Sequence, residues 1–395
     1  MLAVMSFAFG FALSMQDSLA PNFFENQLGL SGPQFGYITA IREVPGFLMI
    51  FITALFYKVS LQRLTAMALV LMAVGQFFFT SATSFWTVAP FVVIVSMGYH
   101  TVLQTQTALG MNLTIEAHSG RILGTVNAIW SVGTLAALTF VLVFFHFGWV
   151  SFPGAFMLAG VLALVAAVAI FDFPHLLDGK EQKQAAKRDP IVLRRSYLYY
   201  YLLNILDGGR QQVLFSFGLW VLVDHYTMTA SQVSGLLIAV TVLSILTSRK
   251  IGRLVDLHGE RRMLGLVNIG YVISLVGYAL AGNVYFAAAC YLIYSFIRPL
   301  SAIGASTYLR KVAVTEEIAP SLAMGVSLQH AAAIIVPISV GFTLNYVGYQ
   351  IPFLIAACFA ATTIFVTRRL DPETQKSPAR IEEEQRQAAS LASAQ

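Results

Sequence analysis

The stretch Gly252-Arg253-Leu254-Val255-Asp256-Leu257-His258-Gly259-Glu260-Arg261-Arg262 lies between two long apolar runs, residues 231–249 and 263–281. Its two glycines permit a tight turn and close helix packing, Asp256 can cap a helix N-terminus, and the basic residues anchor at a membrane surface. A helix needs about 20 apolar residues to cross a hydrocarbon core of about 30 Å. Both flanking runs are near that length, so the stretch reads as a short basic turn joining two spanning helices.

The pattern repeats in both directions. Apolar runs fall at residues 2–25, 33–57, 64–82, 86–110, 121–145, 151–171, 197–222, 231–249, 263–281, 285–308, 322–346 and 350–367. The chain is 57% hydrophobic and 11% charged, whereas a soluble domain is about a quarter charged. Its mean hydropathy is +0.72. The expected fold is an all-α polytopic membrane protein of twelve transmembrane helices in two six-helix bundles. Residues 1–171 form the first bundle, 172–196 a basic linker, 197–370 the second bundle, and 371–395 a disordered tail rich in Glu, Gln, Ala and Ser.

Of the 24 Lys and Arg, 21 fall in the connections and tail at one end of the helices, three lie inside spans, and none is at the other end. The positive-inside rule makes the basic end cytoplasmic. Both termini then lie in the cytoplasm, the first helix is retained rather than cleaved, and the location is the cell (inner) membrane. The net charge of +5 thus reflects topology and contact with anionic membrane lipids rather than a nucleic-acid partner. Cys290 and Cys358 fall within spans and read as buried free thiols. Tyr197, Tyr199, Tyr200 and Tyr201 read as an interfacial belt.

A shift of about 198 residues places Leu30-Ser31-Gly32-Pro33-Gln34 on Met228-Thr229-Ala230-Ser231-Gln232 and Arg63 on Arg261, a parallel repeat of two halves. The quoted turn resembles the G-x-L-x-D-x-x-G-x-R loop signature of the major facilitator superfamily. With the twelve runs and the basic centre, the resemblance covers residues 1 to about 370. It implies alternating access by two rocking bundles, a central cavity lined by spans 1, 4, 7 and 10, and a monomer. It also implies that Gly252, Asp256, Gly259 and Arg261 belong to a cytoplasmic gate, with Asp256 facing Arg121 at the start of span 5. The turn after span 2 lacks both glycines and has Lys58 where the second half has Asp256, so Lys58 is expected to pair with Glu316 and Glu317. Span 4 has His100 and Gln104 where many proton-coupled members carry an arginine motif, and span 5 lacks the Gly-Pro ending typical of drug antiporters.

Eight charged or titratable residues interrupt the apolar runs: Asp17, Arg42, Glu43, His100, Asp207, Arg210, Arg298 and His330. A charge at mid-bilayer costs roughly 2.5–3.5 kcal/mol on insertion scales, so such groups pair, face a watery cavity, or bind something. At 1.5 Å per residue, Asp17 and Arg42 lie roughly 12 and 14 Å below the outer helix ends, which permits an ion pair. Glu43 points away from Arg42 and needs another partner. Asp207 and Arg210 share a helix face, and Arg298 and His330 reach similar depth, so each bundle is expected to hold its own cluster. With Gln104, these residues are the candidates for substrate binding or coupling. Either His100 or His330 can change charge near neutral pH, which makes protons a candidate coupling ion.

No phosphate-cradling loop, metal-ligand spacing or activated nucleophile occurs. An enzyme, an ATP-driven pump, a metal and a cofactor are therefore not expected. A small-molecule partner is, and the arginines favour an anionic or zwitterionic solute because a guanidinium matches carboxylate or phosphate in bidentate fashion. The alternatives are a multidrug or lipophilic exporter, which the 30 Phe would suit, and a non-transporting receptor or scaffold on the same fold.

Overall fold

The computed structural model describes residues 1–56, 59–111, 119–173 and 192–394, among which no strand occurs. Helix α1 (Leu2–Asn22) runs into a π-helical turn (Phe23–Gln27) and is followed by α2 (Gly32–Leu55), α3 (Leu61–Phe79), α4 (Phe85–Met111), α5 (Ser119–His146) and α6 (Phe152–Phe171). The second half starts with a 3-10 turn (Arg195–Tyr197). Helix α7 then comes in two parts, Leu198–Gln212 and Leu219–Asp224, joined by a π-helical turn (Val213–Gly218). After it come α8 (Ala230–His258), α9 (Glu260–Ala279), α10 (Val284–Val312), α11 (Thr315–Val347), α12 (Gln350–Arg368) and α13 (Pro378–Ala394).

Ten of these helices are long and apolar enough to cross a membrane. The other two expected spans, α2 and α7, are helical where the sequence places them, and they carry the Arg42-Glu43 and Asp207–Arg210 charges. In the first half α1 packs on α5 and α6, and α3 on α4 and α6. In the second, α9 packs on α10 and α12, and α7 on α11. The halves meet where α2 lies along α11 and α5 along α8.

The repeat is visible in how α2 and α8 begin. Gln34 Oε1 accepts the Ser31 backbone N–H at 3.0 Å, and Gln232 Oε1 accepts the Thr229 backbone N–H at 2.9 Å. Each glutamine thereby satisfies a donor that a helix start leaves without an intrahelical partner. These starts lie at the end of the bundle remote from the basic turns, the far end. There α2 and α11 approach closely at glycines: a Cβ on Gly341 would stand 2.9 Å from the Gly36 Cα. Small residues at a crossing let backbones approach. The Asn22 amide donates to the Met228 carbonyl at 2.8 Å, and the Ser231 hydroxyl to the Leu142 carbonyl at 2.7 Å, tying the halves together at this end. Phe35 of α2 stacks on Trp220 of α7 with ring centroids 5.4 Å apart.

Three expectations need correction. The tail is helical as α13 rather than disordered, because its Ala, Glu and Gln favour helix and charge pairs staple it: Arg380 reaches Glu383 at 2.9 Å and Glu384 at 3.1 Å. It is also docked, with the Ser377 N–H donating to the Val312 carbonyl at 2.9 Å. Tyr197, Tyr200 and Tyr201 are buried rather than belted at an interface, packing with Leu309 and Val312, and the Tyr201 hydroxyl donates to the Val192 carbonyl at 2.8 Å. Cys290 is buried, but Cys358 is exposed on α12; both are free.

Candidate functional site

A cavity of about 280 Å³ lies between the halves, toward the far end from mid-depth. Ligand pockets commonly span about 300–1,000 Å³, so this one suits a small solute. Its wall comes from α1, α2, α5, the π-helical turn and second part of α7, α8 and α10. Helix α4, expected as a lining span, does not reach it, while α2, α5 and α8 do.

Three charges face this space. Arg42 Nη1 and Asp17 Oδ1 pair at 3.2 Å, with 26% and 29% of their side chains exposed. The Arg42 guanidinium also lies 5.7 Å from the Tyr99 ring centroid, and its Nε donates to the Tyr99 hydroxyl at 3.4 Å. The third charge, Arg298, is exposed, and its guanidinium lies 5.2 Å from the centroid of the Phe215 ring. Among the described residues no carboxylate pairs with it: Asp17 is held by Arg42, Asp207 by Arg210, and Glu43 by His330. Apolar side chains such as Leu13, Phe24, Ile38 and Leu237 complete the wall. The cavity thus joins one uncompensated cation to an apolar surface.

The second cluster lies inside one half. Arg210 pairs with Asp207 one helical turn away, its Nη2 donates to the Ser301 hydroxyl at 3.1 Å, and its guanidinium stacks 3.7 Å from the Tyr271 ring centroid. Gln329 Nε2 donates to Asp207 Oδ2 at 3.1 Å and to Gln211 Oε1 at 2.8 Å. The Arg210 side chain is only 1% exposed and that of Asp207 19%, so the cation of this pair is buried.

The third cluster joins the halves, contrary to the expectation of one cluster per bundle. Glu43 Oε2 lies 2.8 Å from His330 Nδ1 on α11, and the His330 ring meets the His100 ring at 77° with centroids 5.1 Å apart. His330 therefore lies with Glu43 and His100 and not with Arg298. Gln104 is exposed on α4 and joins none of these contacts. Sequence reasoning missed Tyr99, Ser96, Tyr271, Ser301 and Phe215, since neutral side chains among apolar residues carry no signal of their own.

At the basic end, Glu317 is taken by Arg194 at 2.6 Å and by the Tyr197 hydroxyl at 2.8 Å. Glu316 is exposed. Lys58 falls outside the described residues, as do the side chains of Arg121 and Asp256 and the surroundings of Gly252. Gly259 has φ +75°, the left-handed conformation that glycine adopts readily, and Arg261 is exposed beside it.

A helical membrane protein with a largely apolar cavity that holds three charges between two structurally repeated halves is the class that fold and site define. The model of the Major Facilitator Superfamily matches residues 2–217 and again 200–394, and the chain belongs to that family of membrane transporters. Among solved structures it is similar to the nucleoside transporter NupG (TM-score 0.75, 14% identity, covering 93% of this chain and 98% of that one). It is also similar to a bacterial homolog of the human lysosomal transporter Spinster (TM-score 0.72, 13% identity, 96% and 97% covered) and to the human organic anion transporter MFSD10 (TM-score 0.62, 13% identity, 93% and 98% covered). At such identities the likeness is one of fold. No curated protein matches the chain in sequence.

Proposed function

We propose that the protein is a secondary transporter that moves a small anionic or zwitterionic organic solute across the cell membrane by alternating access, with its basic end and both termini in the cytoplasm. The observation that carries this reading is Arg298, an exposed cavity guanidinium with no acid paired to it among the described residues. A carboxylate or phosphate on the solute would complete that charge, while Phe215 and the aliphatic wall take its apolar part. For a zwitterion, the Asp17 carboxylate is the matching site for the solute's cation. The far-end contacts between halves fit one closed gate of the cycle. With no nucleotide-binding loop in the sequence, the driving force assigned is an ion gradient, with the proton as the ion to test, or the solute's own gradient.

Thermal unfolding of the purified protein against organic anions, zwitterions and cations tests the reading, followed by flux in proteoliposomes. A ligand at about a hundred times its Kd stabilises by roughly 2.7 kcal/mol. A shift from one anionic or zwitterionic class, lost in Arg298→Ala, is expected. Shifts from lipophilic compounds alone, insensitive to Arg298→Ala, would overturn it in favour of an exporter, and binding without flux would indicate a receptor.

A further inference from the structure

We infer that Glu43, His100 and His330 form a site for a divalent transition-metal ion of the zinc type, built across the boundary between the two halves. One donor atom from each residue lies within 4.8 Å of the other two. A point among them is within an ångström of coordinating distance, which is about 2.0–2.2 Å for imidazole nitrogen and carboxylate oxygen on zinc. Small side-chain rotations close that difference. Two imidazoles and a carboxylate, with the fourth position left to water, form a donor set zinc accepts. The opening for that water is at His330, whose side chain is 20% exposed, while Glu43 is 7% exposed.

The surroundings orient the donors. His100 Nδ1 lies 3.0 Å from the Ser96 backbone carbonyl, which can only accept. Nδ1 therefore carries the proton and Nε2 presents its lone pair to the cluster. Such a hydrogen bond from the far nitrogen is how proteins set the tautomer of a ligating histidine. The space is kept open by a missing side chain. A Cβ on Gly46, one turn from Glu43, would stand 2.6 Å from His100 Nε2 and 2.7 Å from His330 Cε1. Arg42 Nε, 3.9 Å from Glu43 Oε1, opposes a second cation, but the Asp17 carboxylate at 3.2 Å offsets its charge. On metal entry the proton now between His330 Nδ1 and Glu43 Oε2 leaves to solvent and both atoms turn to the ion.

The inference does not depend on transport. Glu43 and His100 belong to the first half and His330 to the second, so a bound ion ties the two together. The test uses the full chain in detergent without a polyhistidine tag, titrated with Zn²⁺ by calorimetry and with Co²⁺ as a visible-spectrum probe. Expected are one ion per chain, the intense absorption of four-coordinate Co²⁺, and two imidazoles in the X-ray absorption of the zinc form. His100→Gln and His330→Gln should each weaken binding by about tenfold or more. Gly46→Ala, which keeps all three donors, should weaken it too because its Cβ occupies the space. Binding unchanged in both histidine variants overturns the inference. So does a wild type that takes up no stoichiometric ion, or one whose ion sees fewer than two imidazoles. The X-ray absorption decides the matter should a variant fail to fold.

Discussion

Asp207→Asn should cost far more stability than Asp17→Asn, although both remove the acid from an intramembrane ion pair. Arg210, left behind by the first change, has a side chain 1% exposed. Its remaining polar neighbours include the Ser301 hydroxyl at 3.1 Å and the Tyr271 ring, and among the described residues its Nε has no hydrogen-bond partner even with Asp207 present. Removing one member of a buried pair costs about 3–5 kcal/mol because it strands a buried charge. The partial exposure of Asp207, 19%, places the expected loss at the low end, about 3 kcal/mol. In the Asp17–Arg42 pair both side chains keep over a quarter of their surface, so cavity water continues to solvate Arg42 and the expected loss is about 0–1 kcal/mol. The gap of about 2 kcal/mol or more is over tenfold in the unfolding equilibrium. Reversible unfolding in mixed micelles, followed by tryptophan fluorescence, measures both variants. The double variant Asp207→Leu/Arg210→Met should recover much of the loss, since an apolar pair strands no charge. Equal losses for the two single variants, or a double variant worse than Asp207→Asn, would refute the assignment of Asp207–Arg210 as structural and Asp17–Arg42 as cavity-facing.

Gly341→Val should wedge α2 from α11, because a Cβ there meets the Gly32 carbonyl at 2.7 Å; a cysteine at Thr39, in the cavity wall, should then label faster with a thiol reagent applied from the far side, and unchanged labelling contradicts the closed far end. Tyr278→Phe removes the hydroxyl that donates to the Gly218 carbonyl at 2.6 Å in the π-helical turn, which should cost about 1–3 kcal/mol and speed amide exchange in Val213–Gly218; a cost under about 0.5 kcal/mol speaks against it. The docking of α13 should depend on acid pH. Hydrogen bonds from Thr315 and Arg380 hold the Glu383 carboxyl below its ordinary value near 4.5, so its contribution is present above that pH and lost as pH falls through the lowered value. Amide exchange over α13 should rise only below about pH 4, and a rise between neutrality and pH 5 would point to another group.

The sequence was most legible where the argument was local to one helix. Depth along a helix predicted the Asp17–Arg42 contact, i, i+3 spacing predicted Asp207–Arg210, and the match of Ser31-x-x-Gln34 to Thr229-x-x-Gln232 proved to be one capping arrangement used twice. What failed was the pairing of faces between helices. Residue period gives a side chain's depth and its side of the helix, not which neighbour that side meets. Glu43 and His330 are 287 residues apart, and only the packing of α2 on α11 brings them together. The tyrosines misled for a related reason, because consecutive aromatics near a helix end suit an interface equally well as a core. The cavity wall departed from the family's expected spans because α4 is held against α2 and α3.

His100 and Arg298 stand in different surroundings in the two halves. The 198-residue shift that sets Ser31 on Thr229 also sets His100 on Arg298, so the two are repeat-related positions on α4 and α10. His100 is buried and bound to Ser96, with Glu43 and His330 beside it; Arg298 is exposed to the cavity with an aromatic face for company. A histidine can shed its charge when buried, which an arginine effectively cannot. The position packed at the boundary between the halves therefore carries the residue that tolerates burial, and its repeat mate facing the cavity carries the one that stays charged. Exchange of the two should fail in a directed way. Arg at position 100 would add a fixed charge to a site whose carboxylate, Glu43, is already paired, while His at position 298 would leave the cavity with Arg42, already paired to Asp17, as its permanent cation.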